Sequence, residues 1–294
     1  MSIAQESIQV KAKVKKKKTA YYLILPGIGW LVLFFFIPFF TLLATSLQKP
    51  AGTTPDDGYL PALKFSNYSL ALSEYYPQFF RSFVFSGIAT IVCLLLAYPI
   101  AYYMATKATK YRNLMLVLIV APFFASYLLR TNAWETILSG DSFVVSVLNS
   151  LNLLPDGRIL NTPIAVIAGL VYTFLPFMIL PLYASLEKID IRLIEASRDL
   201  YASPRQSFLN VVWPLSLPGV VSGTLLTFIP ASGDYINAEL LGSINDKMIG
   251  NVIQSQFIDL RDYPTASALS FTFMAVILVL VYLYISRTGT DELV

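Results

Sequence analysis

The sequence predicts an all-α integral membrane protein with six transmembrane helices. Of its 294 residues, 56% are hydrophobic and 13% charged, and the apolar residues gather into six long runs. A soluble chain carries roughly a quarter charged residues, and about 20 apolar residues cross a ~30 Å hydrocarbon core. The runs fall at 22–47, 82–106, 114–138, 163–186, 208–230 and 266–286.

Each run has its own justification. The first follows a lysine run, yet it is too long for a signal-peptide core and lacks a clear small-residue cleavage site, so it reads as an uncleaved helix. The second holds Cys93 in mid-span. The third, with Arg130 and Glu135 toward its end, is the least clean. Prolines 176, 181, 214, 218 and 230 interrupt the fourth and fifth, each removing a backbone hydrogen bond. Gly219 and Gly223 have the G-x-x-x-G spacing that lets helices approach closely. Together these residues point to spans four and five as a moving interface, although prolines also shape static membrane helices. The sixth run closes before Arg287. The chain then divides into a basic tail (1–20), a six-helix domain (21–287) with a mixed-charge loop at about 187–207, and a short tail (288–294).

Lysine and arginine set the orientation. With the N-terminus cytoplasmic, fourteen of the 21 basic residues fall inside and seven outside, including outer helix ends. That bias is the positive-inside signal, and six spans return the C-terminus to the cytoplasm. The Lys15–Lys18 run, beside a membrane helix, reads as a topology signal and not as a nucleic-acid patch. Eleven of the 18 acidic residues lie outside, giving that face a net charge of −4 against +7 inside. A negative outer face attracts cations over about a Debye length, but the ordinary inside-positive bias produces the same asymmetry. It permits a cationic substrate without selecting one.

The absences exclude several functions. One cysteine allows no intramolecular disulfide, and with no histidine, cysteine- or histidine-based metal sites are disfavoured. Without histidine, Ser-His-Asp and Cys-His constellations are excluded. No phosphate loop and no dinucleotide fingerprint occur. The chain is therefore expected to be no enzyme, with energy for transport coming from a partner or an ion gradient. No internal repeat is apparent, which disfavours a secondary transporter built from inverted halves.

The loop EKIDIRLIEASRDLYASPR (187–205) places charges of both signs between two apolar spans. On a helix over 189–201, Ile189, Leu193, Ala196 and Leu200 form one apolar stripe. Ile191, Ile194 and Tyr201 form a second, roughly opposite patch, with Asp190, Arg192, Glu195, Arg198 and Asp199 between. One apolar face seats a helix on its own base; a second suits a partner. The pattern alone fits a plain interfacial helix equally well.

Glu195-Ala196-Ser197, then Tyr201, then Val211-x-Trp213-Pro214, resembles the E-A-A-x3-G-x9-I-x-L-P loop of ATP-binding-cassette (ABC) importer permeases. LPFMILPLYASLEKID (175–190), LLRTNAW (128–134), IPASGDY (229–235) and MIGNVIQSQF (248–257) are similar to the permease of spermidine/putrescine importers. The similarity covers most of 22–286, omitting the lysine run and the loop at 49–66. The resemblance implies a type I importer permease in a bacterial cytoplasmic membrane, with the loop as a coupling helix between spans four and five. It implies four kinds of partner: a sister permease, a dimer of ATP-binding subunits, an extracytoplasmic substrate-binding protein, and membrane lipid around the spans. ATP and magnesium belong to the ATPase, leaving this chain without a cofactor. The coupling role carries over to Glu195, Ala196, Ser197, Asp199 and Leu200, and to Tyr201, which stands where the motif has glycine. Tyrosine enters the left-handed region only with strain, so Ser203-Pro204 is expected to supply the break instead.

A polyamine offers ammonium groups on methylene chains, so it needs carboxylates or carbonyls and aromatic faces. Acidic groups among membrane helices are costly and default to functional candidates. They are Asp234 and Glu239 after span five, and Glu135 at the outer end of span three. Tyr235, Trp134 and Tyr172 are the aromatic candidates. Each fits a blander role: Asp234 as a cap or ion-pair partner, Glu135 as a solvated group, the aromatics as an interfacial belt. The leading alternatives are a related permease for iron, thiamine or another small solute, and an ion-coupled secondary transporter.

Overall fold

The computed structural model describes residues 22–52, 57–108, 110–152, 154 and 157–288. The lysine run and the tail after 288 lie outside the described residues. Among the described residues five helices are long and apolar enough to cross a membrane, and a pair bent by 95° makes a sixth if it is counted as one broken span.

Helix α1 (Tyr22–Ser46) includes a π-helical turn at Val32–Phe36 and leaves its apolar side chains exposed, as a lipid-facing helix does. Near its outer end Phe39 meets Phe271 of the last span edge-on at 5.1 Å. A short hairpin follows, β1 (Lys49–Pro50) pairing antiparallel with β2 (Tyr59–Leu60). The Tyr59 hydroxyl donates to the Arg261 carbonyl at 2.7 Å, pinning the hairpin to the turn before the final helix. Burial, and then the nearby Asp262 carboxylate, push the Tyr59 phenol above its ordinary pKa.

Helix α2 runs from Ser66 to Thr106, 41 residues where the sequence predicts a span of 82–106. At ~1.5 Å per residue it is far longer than the bilayer is thick. Its outer turns are helical because they are tied down. Asn67 Nδ2 donates to the Ser46 and Gln48 carbonyls at 2.9 and 3.0 Å. Ala71 and Phe79, one helical face, pack with Ile249 and Leu269.

The third span departs from expectation. Instead of one helix over 114–138, α3 (Arg112–Val120) runs through a 3-10 turn to Phe124, and α4 (Tyr127–Leu138) leaves at 95°. Pro122 sits in the 3-10 turn, and Ala125 is extended at ψ 147°. An extended residue ends helical hydrogen bonding outright, so the chain breaks and does not merely kink. A short α5 (Phe143–Ser150), capped by Ser142, follows.

Helices α6 (Pro163–Glu187) and α8 (Pro204–Ser232) form the central crossing against α2. Small residues allow it. A Cβ on Gly219 would stand 2.5 Å from Ser185 Cβ and 2.9 Å from the Pro181 carbonyl; one on Gly223 would meet Met178 Sδ at 2.7 Å. The G-x-x-x-G pair thus serves packing within this chain. Apolar surface gains little between helices surrounded by lipid, so close packing carries the association. Gly219→Leu is expected to cost about 1–3 kcal/mol by overpacking. A thermal melt of the purified protein checks this, and an unchanged Tm would mean the crossing is looser than described.

Between α6 and α8 lies α7 (Ile191–Asp199). After α8 the chain folds back as α9 (Ile236–Leu241) and α10 (Ile249–Gln254), the latter continued by a π turn to Asp259, before α11 (Tyr263–Thr288). This outer segment is part of the core: Ala238, Leu241, Met248 and Ile249 are essentially inaccessible.

Candidate functional site: a charged corner and the wall at the opposite end

The corner is built by local rules. Asp190 Oδ1 accepts from the Arg192 amide at 3.0 Å, capping the start of α7. Arg198 lies in the last turn, where a cation favours the negative end of the helix dipole. Tyr201 then takes φ 62°, and Ser203, Pro204 and Gln206 start α8 with a reciprocal capping box. The expected exchange of one break for another is not what happens. Tyrosine adopts the left-handed turn itself, and Ser203-Pro204 begins the next helix. Ser197 also has a visible use: its hydroxyl shares a 2.6 Å hydrogen bond with that of Ser207 in α8. The Ala202 amide donates to the Ser197 carbonyl at 3.1 Å, so α7 and α8 meet at a braced angle.

The two expected apolar faces do not survive as drawn, because one residue from each turns inward and the others, Ile191 included, are exposed. Ile189 and Ile194 pack toward the buried cluster of Met104, Leu186 and Val212. Leu193, Ala196, Leu200 and Tyr201 face outward with Glu195 and Asp199. Leu200 is 83% and Tyr201 97% exposed, an unusual display of apolar surface on a charged loop. Trp213, further along, stacks near Tyr98 and Phe208 at the root of α8. A non-glycine residue in the left-handed region costs about 1–3 kcal/mol, against roughly 0.5–1 kcal/mol for the extra freedom glycine gives the unfolded chain. Tyr201→Gly is therefore expected to raise the Tm of the isolated protein slightly. A fall in Tm would mean that the ring makes contacts that outweigh the strain.

At the other end of the helices, the end that the lysine and arginine distribution predicts to be outer, a wall gathers around α9. Asp234, 8% exposed, accepts the Asn237 amide at Oδ1 (2.8 Å) and the Tyr127 hydroxyl at Oδ2. Asn237 Nδ2 in turn donates to the Tyr127 oxygen at 2.7 Å and reaches Thr173 Oγ1 at 3.5 Å. Asp234 thus caps α9 and ties it to α4, while Asn237 reaches α6. On the opposite side of α9, Tyr235 and Glu239 are exposed, one helical turn apart. Asn251 Nδ2 donates to Glu239 Oε2 at 2.8 Å and to the Tyr235 carbonyl at 2.9 Å, while Lys247 Nζ lies 3.5 Å from Glu239. Gly250 permits this fit, because a Cβ there would stand 2.5 Å from the Gly233 carbonyl. Trp134 meets Tyr172 edge-on at 5.3 Å, and Glu135 beside it is exposed.

The structure therefore gathers Asp234, Tyr235 and Glu239 at and just before α9 and pairs Trp134 with Tyr172. Tyr127, Asn237, Thr173, Asn251 and Lys247 were missed by sequence reasoning. Asn237, three residues after Asp234, carried a capping signal; the others had none.

The description "Binding-protein-dependent transport system inner membrane component" fits residues 18–288. The chain is 41% identical over 258 residues to the spermidine/putrescine transport system permease protein PotB of Haemophilus influenzae, covering 87% of this chain and 89% of that one. It is 39% identical over 271 residues to PotB of Escherichia coli, covering 90% and 97%. Both relatives are permease proteins. Its fold matches a chain of a bacterial alginate ABC transporter, solved with an alginate pentasaccharide-bound periplasmic protein, at TM-score 0.71 and 15% identity over 96% of this chain and 97% of the other.

Proposed function

The chain belongs to the family of binding-protein-dependent transport system inner membrane components, and on that footing we propose that it is the permease for polyamines in an ABC importer, one half of a translocation path. The observation that carries the reading is the outward face of α7: exposed Glu195, Ala196, Asp199, Leu200 and Tyr201 on a braced corner between spans four and five. A separate ATPase, using ATP and magnesium, grips that face. Its closure is transmitted to α8 through Ser197 and Ser207 and to α6 through the chain itself. A sister permease supplies the other wall, and an extracytoplasmic binding protein delivers substrate. Both termini are cytoplasmic, by the distribution of lysine and arginine. The ATPase shifts the equilibrium only by binding one permease state better than the other.

For the cargo, Glu239 and Tyr235 offer a carboxylate and an aromatic face on the exposed side of the outer wall, and Trp134, Tyr172 and Glu135 lie on a neighbouring part. Asp234 stands behind them and holds α9 in place. The test is uptake by the reconstituted complex across labelled spermidine, putrescine, thiamine and ferric iron. ATP-dependent uptake of the polyamines in preference to the rest is expected; preference for another solute would replace the assigned cargo.

A further inference from the structure

We propose that Arg112 is a positioning residue: through Glu187 it ties the broken third span to the coupling helix, so that a push on α7 moves α3 and α4 with spans four and five. The proposal rests on the reading of α7 as the docking element. Glu187 closes α6, three residues before the cap of α7, and Arg112 opens α3. Arg112 Nη2 meets Glu187 Oε1 at 2.7 Å, and the guanidinium lies over the Tyr183 ring at 5.4 Å.

The neighbourhood explains why a tie is needed. Beside the pair lies a cavity of about 300 Å³, bounded by Met104 and Thr106 of α2, by Ile191 and Ile194 of the coupling helix, and by Val212. Close-packed interiors transmit strain, but a void has no atoms with which to push. The void interrupts the apolar packing that Ile194 makes toward Met104 and Val212, and the ion pair adds a polar bridge from α3 to the end of α6 on that side. Its side chains are 33% and 41% exposed, so its contribution to stability is small and its effect is geometric. Arg112 Nε is buried with no hydrogen-bond partner among the described residues, a cost accepted to keep the guanidinium on Glu187 and Tyr183. From α3 the chain leads to α4, whose Tyr127 bonds Asp234 behind the outer wall. Handle and wall are thereby joined through one broken span.

The experiment uses the full complex in proteoliposomes with labelled spermidine, and reads ATP hydrolysed per spermidine imported. Arg112→Glu and Glu187→Arg are each expected to raise that ratio about fivefold while the ATPase still co-purifies, and the double exchange to return it to within about twofold of wild type. Rescue by exchange identifies the pair, and a merely structural role would lower the yield of complex while leaving the ratio of the recovered complex at the wild-type value. Single variants with the wild-type ratio, or a double variant no better than the singles, would overturn the tie. If charge reversal prevents recovery of the complex, Arg112→Gln and Glu187→Gln decide: a raised ratio supports the tie and an unchanged ratio overturns it. Wild-type uptake that ignores ATP would instead remove the docking reading, and the tie with it.

Discussion

Glu195→Lys is expected to abolish ATP-driven uptake while leaving insertion and expression unchanged. Glu195 is exposed on α7, and surface substitutions away from special features usually shift stability by less than about 0.5 kcal/mol. The loss must then arise where α7 meets its partner. Disrupting one member of a desolvated charge pair at an interface costs about 2–5 kcal/mol, enough to reduce occupancy of the complex by a factor of thirty or more. Uptake and co-purification of the ATPase are measured together at equal permease level. Glu195→Gln, which removes the charge without reversing it, is expected to lie between. Wild-type uptake in Glu195→Lys would remove α7 as the docking element.

The second large effect separates two carboxylates that the sequence offered as equals. Asp234→Ala leaves the Tyr127 hydroxyl and the Asn237 amide without their acceptor in a buried place. An unsatisfied buried group costs about 1–3 kcal/mol, and at this chain size such a loss lowers Tm by roughly 5 °C. Uptake falls because α9 is no longer held. Glu239→Gln keeps the shape, and its partner Asn251 can still bond an amide oxygen. Its expected signature is a Tm within a degree of wild type and a KM for spermidine raised about tenfold, the cost of one lost charge-assisted contact. The reverse pattern, with Asp234→Asn raising KM at constant Tm and Glu239→Gln silent, would move the cation contact to Asp234.

Five of the six spans were legible because lipid imposes a length and a composition that hydropathy reads directly. Their ends shift by a few residues, with one exception. The outer turns of α2, from Ser66 to Arg81, are polar and aromatic and contain Pro77, so a hydropathy window stops short of them. Their signal is the four-residue spacing of Ala71, Tyr75 and Phe79, which is a packing pattern and not a membrane pattern. The break in span three turns on the extended backbone at Ala125, and Pro122 announces a disturbance without fixing its kind. The fold-back of α9 and α10 reads as an ordinary loop, because its burial comes from residues scattered over Val166, Leu170 and Ala231.

At the corner, the apolar pattern predicted two faces, but the structure turns Ile189 and Ile194, one from each, inward and leaves Ile191, Leu193, Leu200 and Tyr201 exposed. The expected break at Ser203-Pro204 was wrong because steric preference disfavours the left-handed turn at Tyr201 without forbidding it, and there the Tyr201 side chain is free in the open. At the outer wall the charged and aromatic types were visible, but their order in depth was not. That Asp234 lies behind Glu239 depends on which way α9 faces, and Tyr127, more than 100 residues away in sequence, is what fixes it.

The most direct measurement is spermidine uptake by proteoliposomes containing this chain, its sister permease and the ATPase, supplied with the binding protein, with and without ATP. The account predicts accumulation only when ATP and the ATPase are both present, and none from vesicles holding this chain alone. Uptake by the chain alone, or accumulation driven by an ion gradient in the absence of ATP, would contradict it.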